Sequence, residues 1–186
     1  MTILSLCNGS GAWEKPYRDA GYNIIGVDPA NGTGTVLRYA QSLVRLDHRP
    51  TVHGVLMAPP CTEFAGSGAR WWADKDPQLL SDAIRLVYTC LAIKDMVQPV
   101  WWALENPVGR LPRFIGKWDY TWNPCDFGDP WTKRTCMWGL HRKPVMNPVE
   151  PTEGSKHWRL PPSADRAALR SETPPGFAQA FFEANP

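Results

Sequence analysis

Ala58-Pro59-Pro60-Cys61-Thr62-Glu63-Phe64 follows an apolar run, residues 52–58, that only His53 and Gly54 interrupt. A proline lacks the backbone N–H that a central strand needs, so the strand predicted over 51–57 ends at Pro59. The chain then leaves the sheet in a restrained shape, and Cys61 stands at the carboxyl edge of that strand. Open α/β sheets bind ligands at that edge. A buried cysteine is ordinarily an inert small hydrophobe. One held behind two prolines and followed by polar Thr62 and Glu63 reads instead as a nucleophile.

The flanking sequence supplies the sheet. Residues 3–6 form a short apolar strand that runs into Cys7-Asn8-Gly9-Ser10-Gly11, a glycine-bearing turn. Residues 13–20 read as a helix that Gly21 ends. A second buried strand over 22–27 finishes at Asp28. A helix over 36–43 and a short strand over 44–46, ending at Asp47, come next. Residues 77–97 carry the widest apolar face, from Leu79 through Met96, and predict a long helix. Residues 100–104 form another strand, ending at Glu105-Asn106-Pro107. Alternating strand and helix predicts an α/β fold with a mostly parallel sheet and helices on both faces. Beyond residue 111 proline, tryptophan and glycine become frequent and helical periodicity vanishes. Residues 143–175 read as an extended proline-rich segment, and 177–183 as a closing helix.

The 186 residues suit one domain with a real core. A net charge of +2 is permissive for nucleic acid but far from a basic footprint. Ten tryptophans point to broad apolar packing and to surfaces on which bases can stack. The five cysteines are odd in number and no secretory leader precedes them. Reduced thiols in a cytoplasm are therefore expected. No apolar run reaches the length of a membrane span. Cys125, Cys136, His141 and His157 fit no standard metal spacing, so no metal is expected.

Two further constellations sit at strand ends. Gly9-Ser10-Gly11 lets the backbone approach a ligand closely, and Asp28 ends the next strand where an acid can accept from both ribose hydroxyls. The dinucleotide pattern wants a third glycine where this chain has Glu14. A ligand with adenosine and no pyrophosphate, such as S-adenosylmethionine, suits the turn better. A plain tight turn of an α/β fold accounts for the same residues. Glu105, at the end of a buried strand, needs a partner. It can grip the N3 and amino edge of cytosine, or serve as a helix cap or ion pair. Lys133 and Arg134, in Asp129-Pro130-Trp131-Thr132-Lys133-Arg134-Thr135, can meet a phosphate or a base carbonyl.

Taken in order, these motifs resemble the DNA cytosine-5 methyltransferase family. Leu6-Cys7-Asn8-Gly9-Ser10-Gly11 resembles its cofactor loop, Asp28 its ribose acid and Asp47 its adenine contact. Pro59-Pro60-Cys61 is similar to the nucleophile motif and Glu105-Asn106-Pro107 to Glu-Asn-Val. Residues 131–135 stand where the family has Gln-x-Arg-x-Arg, and 174–184 where its C-terminal helix returns to the cofactor. The resemblance implies a Rossmann-like S-adenosylmethionine-dependent methyltransferase fold. Cys7, Asn8, Gly9, Ser10, Gly11, Asp28, Asp47 and Pro59 would hold the cofactor. Cys61, Glu105, Lys133 and Arg134 would be catalytic, and Pro60, Thr62, Asn106 and Thr132 would meet the substrate. The chain departs from the family in having Cys7 where a stacking phenylalanine is expected and Ser5 where an aspartate is. Lys133 falls on the first arginine and Thr135 on the second. Residues 143–175 stand in place of a target-recognition domain.

The resemblance implies cytosine-5 methylation of DNA, as a virus or mobile element would use. Its small size admits two alternatives: the same chemistry on a free cytosine nucleotide or RNA, and a catalytically degenerate fold that binds nucleic acid or a partner. No histidine lies in a motif that would make Cys61 a hydrolase thiol. Oligomeric state is not legible in the sequence.

Overall fold

The computed structural model describes residues 1–28, 35–46, 49–156, 160, 161, 163 and 166–186. Along the chain come β1 (Thr2–Leu6), α1 (Lys15–Asp19), β2 (Asn23–Val27), α2 (Val36–Arg45), β3 (Gly54–Met57) and α3 (Pro77–Val97). There follow β4 (Trp101–Pro107), α4 (Pro112–Ile115), β5 (Tyr120–Trp122), β6 (Thr135–Leu140), α5 (Arg166–Ser171) and α6 (Pro175–Ala184). The strands form one sheet in the order β2-β1-β3-β4-β6-β5. The first four are parallel neighbours, while β6 runs antiparallel to β4 and to β5.

Side chains alternate across the sheet with period two. Leu4, Leu6, Val55, Met57, Leu104 and Trp138 face one way, into a core closed by Val36, Ala40 and Leu43 of α2 and by Val87, Cys90 and Ile93 of α3. Ile3, Leu56, Trp101, Ala103 and Met137 face the other way. There they meet Tyr17 of α1 and Phe177, Ala178 and Phe181 of α6. Both faces of the sheet are thus covered, which is why its strands read as continuous apolar runs.

The helix ends have local causes. The Asp76 side chain accepts from the Gln78 amide at 2.8 Å and Pro77 opens α3 without losing a bond. Gln98, at φ 47°, closes it in the left-handed region. Thr35 caps α2 by accepting from the Arg38 amide.

The expected strand over 44–46 is absent, because Val44 and Arg45 are the last turn of α2. Leu43 is buried and Val44 exposed, so the apolar pair belongs to one helical turn. A short helix, α5, interrupts the segment read as extended, while residues 142–150 carry no helix or strand. Short strands β5 and β6 were hidden among the prolines and tryptophans after residue 111. Trp122 of β5 stacks on Phe177 at 3.7 Å and 8°, which ties that region to α6.

The Tyr17 hydroxyl, buried between α1 and the end of α6, donates to the Asn185 carbonyl at 2.8 Å. Tyr17→Phe keeps the ring packing and orphans that carbonyl. It is expected to lower stability by about 1 kcal/mol, read as a drop in Tm of about 2–4 °C by circular dichroism.

Candidate active site

The carboxyl ends of β1, β3 and β4 open into one pocket. Its wall runs from Ser5, Cys7, Asn8, Gly9, Ser10, Trp13 and Glu14 to Ala58, Pro59, Pro60 and Cys61. Glu105, Pro107, Lys133, Arg170, Ser171 and Thr173 complete it.

The turn after β1 has three residues at positive φ: Cys7 (56°), Gly9 (51°) and Gly11 (73°). Glycine accepts this at two of the three, and buried Cys7 is held there by its amide donating to the Val27 carbonyl. The Gly9 amide donates to Asp28 at 3.1 Å, which fixes the end of β2 to the turn. Glu14 is fully buried. Its carboxylate accepts from Ser5 Oγ at 3.0 Å and Asn8 Nδ2 at 2.7 Å, and it pairs with Arg18 at 3.3 Å. The residue that spoils the dinucleotide pattern is therefore what braces the turn. Trp13 adds a buried indole Nε1 with no hydrogen-bond partner.

Prolines 59 and 60 end β3 as expected, and Cys61 is half-buried beyond them. The Cys61 carbonyl accepts from the amides of Phe64 and Ala65, so the chain turns back at once. The turn is stitched to the segment after β4. Gly66 N donates to Val108 O, and Arg110 N to Phe64 O, both at 2.8 Å. A Cβ on Gly109 would lie 1.8 Å from the Phe64 carbonyl oxygen, so only glycine permits that approach. Glu63 is buried and ion-paired to Lys75 at 2.9 Å, with Arg110 at 3.8 Å. Lys75 also donates to the Thr62 carbonyl.

Glu105 stands on β4, the strand beside β3, and lines the same pocket as Cys61. Burial pushes the Cys61 thiol above its ordinary value and the Glu105 carboxylate pushes it further; Lys133 and Arg170 pull the other way. Burial also raises Glu105, against the pull of Lys133. Asn106 is fully buried and donates from Nδ2 to the Pro59 carbonyl at 2.8 Å, while its Oδ1 has no partner. It ties the strand that carries Glu105 to the turn that carries Cys61. Asn106→Ala is expected to cost about 1–3 kcal/mol. It should also speed alkylation of Cys61, because the Pro59 carbonyl loses its anchor; a thermal melt and peptide mass spectrometry after iodoacetamide check both.

Among the remaining sequence candidates, Gly11 and Asp28 support the turn from behind the pocket wall. Lys133 lines the pocket, whereas Arg134 is exposed and its charge is felt at Cys136, whose thiol burial has pushed up to about 12. Thr62 is exposed. Thr132 is bonded to the 154–155 turn through its amide and hydroxyl. Asp47 and His157 lie outside the described residues. Sequence reasoning missed Glu14, Trp13 and Arg170 as pocket residues. For Arg170 the one signal was the proline-free stretch 166–171 inside a proline-rich segment.

No protein-family model and no curated protein sequence matches the chain. Solved structures do match, 83 chains in all. One is described as a DNA modification methyltransferase encoded within a prophage of E. coli. It superposes with a TM-score of 0.52 over 81% of this chain, at 14% identity. The shared fold is Rossmann-like, a mostly parallel sheet with helices on both faces. This chain spans about half of the prophage protein, 53% of its length. Among the described residues no helix is long and apolar enough to cross a membrane.

Proposed function

We propose that the protein transfers a methyl group from S-adenosylmethionine to C5 of cytosine in DNA through a covalent adduct at Cys61. The observation that carries this reading is the convergence of Cys61 and Glu105, from the ends of neighbouring strands, on the pocket that the glycine turn opens. A thiol and a carboxyl on one wall can take opposite edges of a pyrimidine.

The turn fits the cofactor. Glu14 lines this end of the pocket, and its carboxylate suits a ligand that is cationic at sulfur and at its amino group. The unpartnered Trp13 indole N–H offers a buried donor. Residues 7–11, with Asp28 and Pro59, would hold the cofactor, as the resemblance implies. When bound, it supplies an electrophilic methyl group.

The chain's own residues do the rest. The Cys61 thiol gives its proton to solvent and the thiolate adds to C6, the ring electrons moving towards N3 and C5. Glu105, whose carboxyl burial raises, can share a proton with N3 and accept from the exocyclic amine. Charge that spreads into the ring is thereby stabilised. After the methyl is in place, the C5 proton passes to a solvent base, the C5–C6 double bond re-forms and Cys61 leaves as the thiolate. Lys133 meets negative charge at the same end of the pocket. A cytosine within a duplex must first be swung out of the stack, at a cost of a few kcal/mol.

The test is mass spectrometry of nucleosides after incubation with isotopically labelled S-adenosylmethionine and, separately, DNA, RNA and deoxycytidine monophosphate. Labelled 5-methylcytosine in the DNA arm is expected. The same product only from RNA or the nucleotide moves the substrate and keeps the chemistry. No labelled cytosine in any arm, with intact cofactor binding, ends the proposal.

A further inference from the structure

We infer that Arg170, with Lys133, forms a phosphate site for the nucleotide whose base lies against Cys61 and Glu105. This deepens the methylation reading and rests on it. Arg170 comes from α5, far along the chain from the other pocket residues, and Lys133 precedes β6. Both are half-buried and both line the pocket. Among the described residues neither side chain has a hydrogen bond or an ion pair. Elsewhere near the site cations are matched: Lys75 and Arg110 share Glu63, and Arg18 pairs with Glu14. Lys133 faces Glu105, whose carboxyl its charge holds down, so the pocket sets two partly desolvated cations against one acid, and an anion between the cations relieves their repulsion.

The nature of the anion follows from its place. Glu14 lies at the end of the pocket next to the turn after β1, whereas Arg170 and Lys133 line the same pocket as Cys61 and their charges act on its thiol. The anion is therefore attached to the molecule that meets the nucleophile. A nucleotide carries its phosphate one sugar away from the base, and the planar guanidinium fork of arginine matches phosphate oxygens. A mononucleotide and a polynucleotide present the same group.

The test compares wild type, Arg170→Ala and Arg170→Lys by tryptophan fluorescence and calorimetry. The probes are inorganic phosphate, deoxycytidine, deoxycytidine monophosphate, a short cytosine-containing DNA strand and S-adenosylmethionine. Arg170 is partly exposed, and circular dichroism melts verify that the variants fold. Wild type is expected to bind the monophosphate about 10- to 100-fold more tightly than the nucleoside. Arg170→Ala should abolish that ratio and phosphate binding, Arg170→Lys should restore part of both, and the dissociation constant for S-adenosylmethionine should stay unchanged. Tighter binding of the strand than of the monophosphate, lost in the same variant, assigns the phosphate to a polymer; equal binding assigns it to a free nucleotide. An unchanged ratio in Arg170→Ala, or a loss confined to S-adenosylmethionine, overturns the inference. Phosphate binding that depends on Arg170, in a protein that methylates no cytosine, leaves the anion site standing and removes the methylation reading instead.

Discussion

Cys61→Ala is expected to abolish 5-methylcytosine formation, a loss of about 10⁴-fold or more, because it removes the thiolate that adds to C6. The remaining thiols do not substitute. Cys90 and Cys136 are fully buried, Cys125 is not among the pocket residues, and Cys7, though at the pocket, is buried and held in the turn after β1 by its amide bond to the Val27 carbonyl. Binding of S-adenosylmethionine should persist, since Cys61 follows β3 and is not part of the turn after β1. The pH profile of the wild type supplies a second signature. The Cys61 thiol sits above its ordinary value of 9.0, so at neutral pH it is mostly protonated. The thiolate fraction falls about tenfold for each pH unit below the pKa. Activity should therefore climb steadily from pH 7 towards pH 9. A rate flat over that range, or product from the alanine variant, would falsify the nucleophile role.

Glu105→Gln is expected to lower kcat by about 10²- to 10³-fold with a much smaller change in KM. The amide still reaches the pyrimidine edge but has no acidic proton to share. The same change should move Cys61 in the opposite sense. The Glu105 carboxylate is the second-largest cause of the raised thiol after burial. Removing its charge lowers the thiol pKa and increases the thiolate at a given pH. Alkylation of Cys61 by iodoacetamide at pH 8, followed on its own peptide, should thus be faster in the variant while methyl transfer is slower. A thiol whose alkylation rate is indifferent to residue 105 is not a neighbour of that carboxylate.

Much of this arrangement was legible in local chemistry. Prolines at 59 and 60 must end a strand. The apolar spacing of residues 77–97 can bury one face only as a helix. The glycines of the first turn permit positive φ at 9 and 11. Each constraint acts within a few residues, so one sequence suffices to read it. Leu43 and Val44 show the limit: an apolar pair serves a helical turn as well as a strand, and packing on α3 selects the helix.

The amino-acid sequence by itself determined where the parallel strands end and hence which residues, Cys61 and Glu105 among them, stand at the sheet's carboxyl edge. Tertiary structure alone decided that Lys133 and not Arg134 faces the pocket, that Glu14 braces the turn, and that Arg170 reaches Cys61 from more than a hundred residues away. The physical reason is range. Strand ends and helix faces follow from backbone sterics and side-chain period, whereas the meeting of distant charges depends on how the chain before β6 and the end of α5 come together at the pocket.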